Sequence, residues 1–416
     1  MRFLLALVIS AIVVVTYGSI EAVGNEHSRV RRVENMTSQS NDRNRIRSDG
    51  LELKIAEPQL MGISIPGNQS GVYVPVRFTF SVTNNTKAPI PFIEDGTLIP
   101  EIIGPDGQAL HRKEPIDRQV SSGEYRGKLV RVREQISDFM DAKLFWQNNW
   151  LQLIFPASFE YIGSPINLDR SWSFETVGSG KYQIRFIYEN PTGMVSYIDQ
   201  LTFFLTGQET RTEVAGTGNS ATPFANLFLL QPVGDNKNAV ELDGIRFETF
   251  IPETALTVPN NRQNAENHDV RIGMQIRNNT LTPFYFSFYG TFKPELVKPD
   301  GRVLRGSYIS DWMIGPKKSD FLLLTPGKSL TFFPDVSLSR NKCDQFVIDI
   351  SDGRGGAWFF DELQPGTYQF RFRYENMLDT TQYTNLKEDL IEDELIEKLW
   401  IGRVDTPFVE FRIAQP

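Results

Sequence analysis

The chain repeats itself, which restricts it to folds that can be built twice. Shifting the sequence by 194 residues lays Asn84-Asn85-Thr86 on Asn278-Asn279-Thr280, Phe92 on Phe286, Pro100-Glu101 on Pro294-Glu295 and Pro105-Asp106-Gly107 on Pro299-Asp300-Gly301. Residues 84–110 match 278–304 at 13 of 27 ungapped positions. A second block matches at a shift of 186. There Trp172, Phe174, Gly180 and Tyr182 fall on Trp358, Phe360, Gly366 and Tyr368, with 10 identities in 19 positions. Two blocks in the same order point to an internal duplication.

Each copy reads as antiparallel β. Val74, Val76, Phe78, Phe80 and Val82 alternate with polar or small residues, and Val270, Ile272, Met274 and Ile276 do the same. That is the period of a strand with one buried face. The Pro-Asp-Gly triplets between apolar runs predict tight turns, with proline presetting φ and glycine taking the left-handed conformation. Later in each copy, Tyr182, Ile184, Phe186 and Tyr188 share one face, as do Tyr368, Phe370, Phe372 and Tyr374. A glycine two residues before the first tyrosine predicts a tyrosine corner, in which the phenol ties back to the backbone. Many short strands without βα alternation argue for a sandwich.

The expected fold is therefore all-β: two tandem immunoglobulin-like β-sandwich domains, residues 49–206 and 239–416, with small helical insertions. A connector spans 207–238. Leu129 to Trp146 places Val132, Ile136, Phe139, Met140 and Lys143 near helical spacing, which predicts a helix. Leu386 to Trp400 sets Leu386, Leu390, Leu395, Ile396 and Leu399 against six acids, which predicts a second, amphipathic one.

Residues 1–22 read as a signal peptide, with Arg2, an apolar run from Phe3 to Val15 and small residues at Gly18, Ser19 and Ala22. Residues 23–48 read as a flexible tether. The expectation is an exported protein, periplasmic or extracellular, touching a membrane only if the leader stays as an anchor. One cysteine, Cys343, excludes an intrachain disulfide and reads as an inert buried thiol.

Composition narrows the chemistry. Lys and Arg number 43 and Asp and Glu 51, a formal charge of −8, which argues against a nucleic-acid partner. The three histidines are scattered, so neither a His-based metal site nor a Ser-His-Asp triad is supported. Gly353-Arg354-Gly355-Gly356 lacks the strand–loop–helix setting of a phosphate loop. Asp349, Asp352, Asp361 and Glu362 cluster in sequence but read as turn acids. No catalytic residue, cofactor or metal ligand is expected. Trp172 and Trp358 are paired by the repeat and read as core. Trp146 and Trp150 are candidate contacts to a glycan, and Glu392, Asp393 and Glu397 candidate contacts to a basic partner.

The order Asn-Asn-Thr, Pro-Asp-Gly, then Leu324-Thr325-Pro326-Gly327-Lys328-Ser329 and Leu363-Gln364-Pro365-Gly366-Thr367-Tyr368 resembles bacterial immunoglobulin-like envelope domains. It is also loosely similar to the domain named after the Bacillus intracellular proteinase inhibitor. The first copy departs from the pattern with Pro156-Ala157-Ser158 where Pro-Gly is expected. The resemblance implies a non-enzymatic envelope protein that binds or scaffolds a protein or polysaccharide. Two other expectations stay open: an inhibitor presenting the loop 111–128, and a carbohydrate-active or carbohydrate-binding module using Trp146 and Trp150.

Overall fold

Alternation of apolar and polar residues dictates most of what forms. In the strand Tyr73–Asn84, Val74, Val76, Phe78, Phe80 and Val82 are buried, as the period of two requires. The computed structural model describes residues 50–68, 72–93, 98–114, 124–156, 171–175, 178–190, 193–197, 210–214, 218–257, 268–304, 306–310, 315–341, 343, 345–378, 380–387 and 390–414. The expected leader and tether lie outside them. Among the described residues the protein is nearly all β, its one helical element being the three-residue 3-10 turn Lys318–Asp320. No helix of the described residues is long and apolar enough to cross a membrane.

Two hydrophobic cores form. One gathers residues from Leu51 to Leu229, around Phe78, Phe155, Trp172 and Phe186. The other gathers residues from Val240 to Ile413, around Phe247, Phe292, Phe372 and Tyr374. Burying each such side chain contributes about 1.5–3 kcal/mol of apolar transfer.

Matching residues hold matching places in the two halves. Leu98–Ile103 pairs with Gly180–Asn190 in the register Ile103↔Gln183, and Phe292–Val297 pairs with Gly366–Asn376 in the register Val297↔Gln369. Asn84 donates Nδ2 to the carbonyls of Ala88 and Val130 at 2.8 and 2.9 Å. Asn278 donates to those of Thr282 and Leu324 at the same two distances. The Tyr182 hydroxyl donates to Gly178 O at 2.9 Å, and that of Tyr368 to Gln364 O at 2.8 Å. Gly107 and Gly301 close the Pro-Asp-Gly turns with φ of 79° and 82°, a conformation only glycine adopts without cost.

Neither expected helix is present. Residues 135–147 are a strand, Gln135–Gln147, paired antiparallel along Tyr73–Asn84 from Thr83↔Gln135 to Tyr73↔Phe145. Met140, Ala142 and Leu144 are buried at alternate positions, a period that the helical spacing of Val132, Ile136 and Phe139 had masked. Residues 380–387 and 390–397 pair as a hairpin, Thr380–Lys387 against Leu390–Glu397. The Thr- and Tyr-rich partner strand supplies cross-strand pairing, which overrides the helical periodicity of the acidic segment.

Part of the expected connector is sheet. Gly218–Ala221 and Ala225–Leu230 both pair with Gly180–Asn190, and the apolar Phe224–Leu230 patch supplies the second of them. Their counterparts are Gly402–Asp405 and Val409–Ala414, both paired with Gly366–Asn376. A further repeated segment marks the step between the strands. Thr222-Pro223-Phe224 recurs as Thr406-Pro407-Phe408 at a shift of 184. The amide of Thr222 donates to Phe186 O at 2.9 Å, and that of Thr406 to Phe372 O at 3.2 Å.

An 11-stranded sheet runs through both halves. Its central link is Met61–Ser64, which lies parallel to Ala225–Leu230 on one side and to Gly402–Asp405 on the other. Cys343 is exposed rather than buried, because it sits in the turn between Val336–Arg340 and Phe346–Ser351.

Candidate functional site

The link between the halves carries charge on strands that also carry core aromatics. In Gly366–Asn376, Phe370, Phe372 and Tyr374 face the second core, so Arg371 and Arg373 must face the other way. That other face is covered by the first half, and Arg371 is fully buried. Arg403 and Asp405 alternate in the same manner on Gly402–Asp405 and are buried as well.

These groups pair with one another, with only Arg371 Nη1 among their buried nitrogens and oxygens left without a hydrogen-bond partner. Arg373 grips Asp405 with two bonds, Nε to Oδ1 at 2.7 Å and Nη2 to Oδ2 at 3.0 Å. Arg371 donates Nε to Glu295 Oε2 at 2.7 Å and Nη2 to Asp405 Oδ2 at 3.2 Å. Arg403 lies 3.3 Å from Asp405. Three contacts cross to the first half: Arg403 Nη1 reaches Glu57 Oε2 at 2.9 Å and Arg77 O at 2.7 Å, and Arg371 Nη2 reaches Pro75 O at 3.1 Å. Glu57 in turn accepts the Thr79 amide at 2.7 Å.

Beside this cluster lies a cleft of about 480 Å³. One wall is Arg77 and Phe139, with the guanidinium 3.9 Å over the ring and bonded to Asp141 at 2.7 Å. The other is Glu295, Trp358, Arg373 and the Lys293–Glu375 pair at 2.9 Å. Trp358 is half-buried there, whereas its counterpart Trp172 is fully buried in the first core.

Electrostatics fixes the protonation states. Burial alone would push the Asp405 carboxyl up, but Arg373, Arg403 and Arg371 outweigh it and hold it far below the usual carboxylate range. Burial opposes ionisation of Glu375 too, and Lys293, Arg403 and Arg373 bring it below its ordinary value. Five cations (Arg77, Lys293, Arg371, Arg373, Arg403) meet five carboxylates (Glu57, Asp141, Glu295, Glu375, Asp405). Asp405 and Glu375 stay ionised near neutrality, where they serve as fixed charges rather than proton carriers.

The residues singled out from sequence lie elsewhere. Trp146 and Trp150 flank a two-residue turn, Asn148-Asn149, whose φ values of 50° and 65° suit a hairpin. Trp146 pairs with Leu151 and Trp150 with Gln147, so the two rings face opposite sides of the sheet and form no joint platform. Trp146 is half-buried, donating its indole N–H to Pro66 O at 2.8 Å, whereas Trp150 is 58% exposed. Glu392, Asp393 and Glu397 lie on the hairpin strand Leu390–Glu397, not on a helix face, and the Glu397 side chain is exposed.

Two of the four clustered acids, Asp349 and Asp352, are taken up locally. Asp352 accepts the Tyr308 hydroxyl at 2.6 Å and the amides of Arg354 and Gly356 at 2.8 and 3.0 Å. Asp349 accepts from Ser337. Residues 115–123 of the expected inhibitory loop lie outside the described residues. The buried cluster itself escaped the sequence reading, although alternate charges in Arg371-Phe372-Arg373 and Arg403-Val404-Asp405 mark a strand face that needs paired partners.

No protein-family model matches this chain, and no curated protein matches it.

Proposed function

We propose that the chain is an exported, non-enzymatic scaffold of the cell envelope, made of two immunoglobulin-like sandwich copies, which holds a protein or polysaccharide partner. One observation carries the reading: the copies share a sheet and a buried, charge-balanced cluster. Flexible tandem domains do not need such a cluster, because desolvating charges is costly unless the geometry is held. The paired tyrosine corners and the two separate cores support the sandwich assignment. Trp150, exposed on a hairpin tip, is the surface contact that suits a sugar ring.

Two measurements test this. Nitroxide labels on Cys343 and on a Trp150→Cys variant should give one narrow inter-label distance, broadened by Arg403→Ala. A broad distribution in the unmodified cluster removes the rigid scaffold. Co-sedimentation with insoluble peptidoglycan should fall in Trp150→Ala if the partner is a polysaccharide, and turnover of the glycan overturns the non-enzymatic reading.

A further inference from the structure

The link between the halves is one strand edge meeting another. Met61–Ser64 of the first half runs parallel to Gly402–Asp405 of the second, with Met61 opposite Arg403. Each strand has a counterpart in the other half. Ala255–Thr257 corresponds to Gly62–Ser64 at a shift of 193, since Gly62 faces Phe228 and Ala255 faces its counterpart Arg412, and each lies parallel to the closing strand of its own half. Gly218–Ala221 corresponds to Gly402–Asp405 at a shift of 184, and each leads into Thr-Pro-Phe.

These counterparts are not joined to each other. Among the described residues, Ala255–Thr257 pairs with Val409–Ala414 alone and Gly218–Ala221 with Gly180–Asn190 alone. Among the described residues, the second half thus leaves open the edge by which the first half docks. Among the same residues, the first half leaves open the edge that receives it.

The faces beside these edges tell the same story. Glu101 and Arg185 pair at 2.5 Å with the guanidinium 4.6 Å over Phe224, just as Arg371 bonds Glu295 at 2.7 Å and lies 4.5 Å over Phe408. In the second half this constellation is covered and the Arg371 side chain is 0% exposed; in the first half the Arg185 side chain is 26% exposed. The charges that lock the internal link are absent from both open edges together. Glu57, Arg403 and Asp405 correspond to Ile251, Asn219 and Ala221. The open edges are therefore neutral toward each other, while either would strand a buried charge against the internal ones.

We infer that a second copy of this chain docks head to tail, Ala255–Thr257 of one molecule adding parallel to Gly218–Ala221 of the next. Such a contact is heterologous: it uses two different surfaces, leaves one of each free, and propagates as a filament unless the rotation closes a ring. The assembly presupposes that the halves are equivalent copies.

The test uses the full chain with Cys343→Ser as background. Thr254→Cys and Asn219→Cys occupy the counterparts of the facing pair Met61 and Arg403. Mixed under oxidation, the two single variants should give a cross-linked dimer that neither gives alone, and the double variant should give a ladder. Sedimentation of the unmodified chain should show mass rising with concentration in multiples of 47.4 kDa. That rise should be lost in Ala255→Lys, whose site is exposed and whose circular dichroism should be unchanged. A single species at every concentration overturns the inference, as does cross-linking by either single variant alone. A narrow spin-label distance without cross-linking would leave the two-copy scaffold standing and remove only the assembly.

Discussion

Asp405 sits among three guanidinium groups, and its effect on stability should follow from pH. Its folded-state carboxyl is held below the ordinary value, against burial, by Arg373, Arg403 and Arg371. A depressed acid adds stability that is full above the unfolded value of about 3.9 and is lost as pH falls below it. Equilibrium unfolding should therefore show stability dropping from about pH 5 downward, and Asp405→Asn should flatten that drop. The same variant should cost about 3–5 kcal/mol at neutral pH, because it strands buried arginines. Asn278→Ala should cost about 1–3 kcal/mol in urea unfolding, since one buried and one part-buried carbonyl lose their donor. The place of Asn278 was marked in the sequence by the repeated Asn-Asn-Thr. The role of Asp405 was not, because a charged residue on a strand reads as solvated until its covering face is known.

At the scale of elements, strands with one apolar face were legible and the supposed helices were not. Helical and strand periods coincide wherever apolar residues fall at both, as they do in 129–146. The difference is measurable. A helix would bury Val132 beside Met140, whereas the strand buries Met140 and leaves Val132 42% exposed. Met140→Ala should therefore cost about 2–4 kcal/mol, and Val132→Ala less than about 0.5 kcal/mol, in chemical denaturation. The connector escaped for a different reason. Ala225–Leu230 closes the first core beside Gly180–Asn190, a long-range pairing that local composition does not encode. The repeated Thr-Pro-Phe was the available signal.

For the whole molecule, the shared sheet and buried cluster should make the halves unfold together. Scanning calorimetry of the chain should give one cooperative transition spanning both cores. Arg403→Ala removes the bonds to Glu57 and to the Arg77 carbonyl, and should split the transition into two or lower it by several degrees. Two transitions in the unmodified chain would mean that the link is too weak to couple the cores. The repeated residues were readable from sequence, but the coupling of the two cores was not. It depends on Met61–Ser64 bordering the other half while it stays paired within its own, and nothing in a strand of Met-Gly-Ile-Ser announces a second neighbour.

The repeated turn asparagines carry a consequence for how this protein can be made. Asn84-Asn85-Thr86 and Asn278-Asn279-Thr280 are acceptor triplets for N-linked sugars. In the folded chain both first asparagines are 0% exposed, and each side-chain amide nitrogen is committed to two carbonyls. A secretory pathway that glycosylates nascent chains would reach those nitrogens before the turns close, and an attached oligosaccharide has no room afterwards. Yield from such a host should rise when Thr86 and Thr280 are changed to alanine, whereas a host without the transferase should show only the small loss of their own hydroxyl bonds.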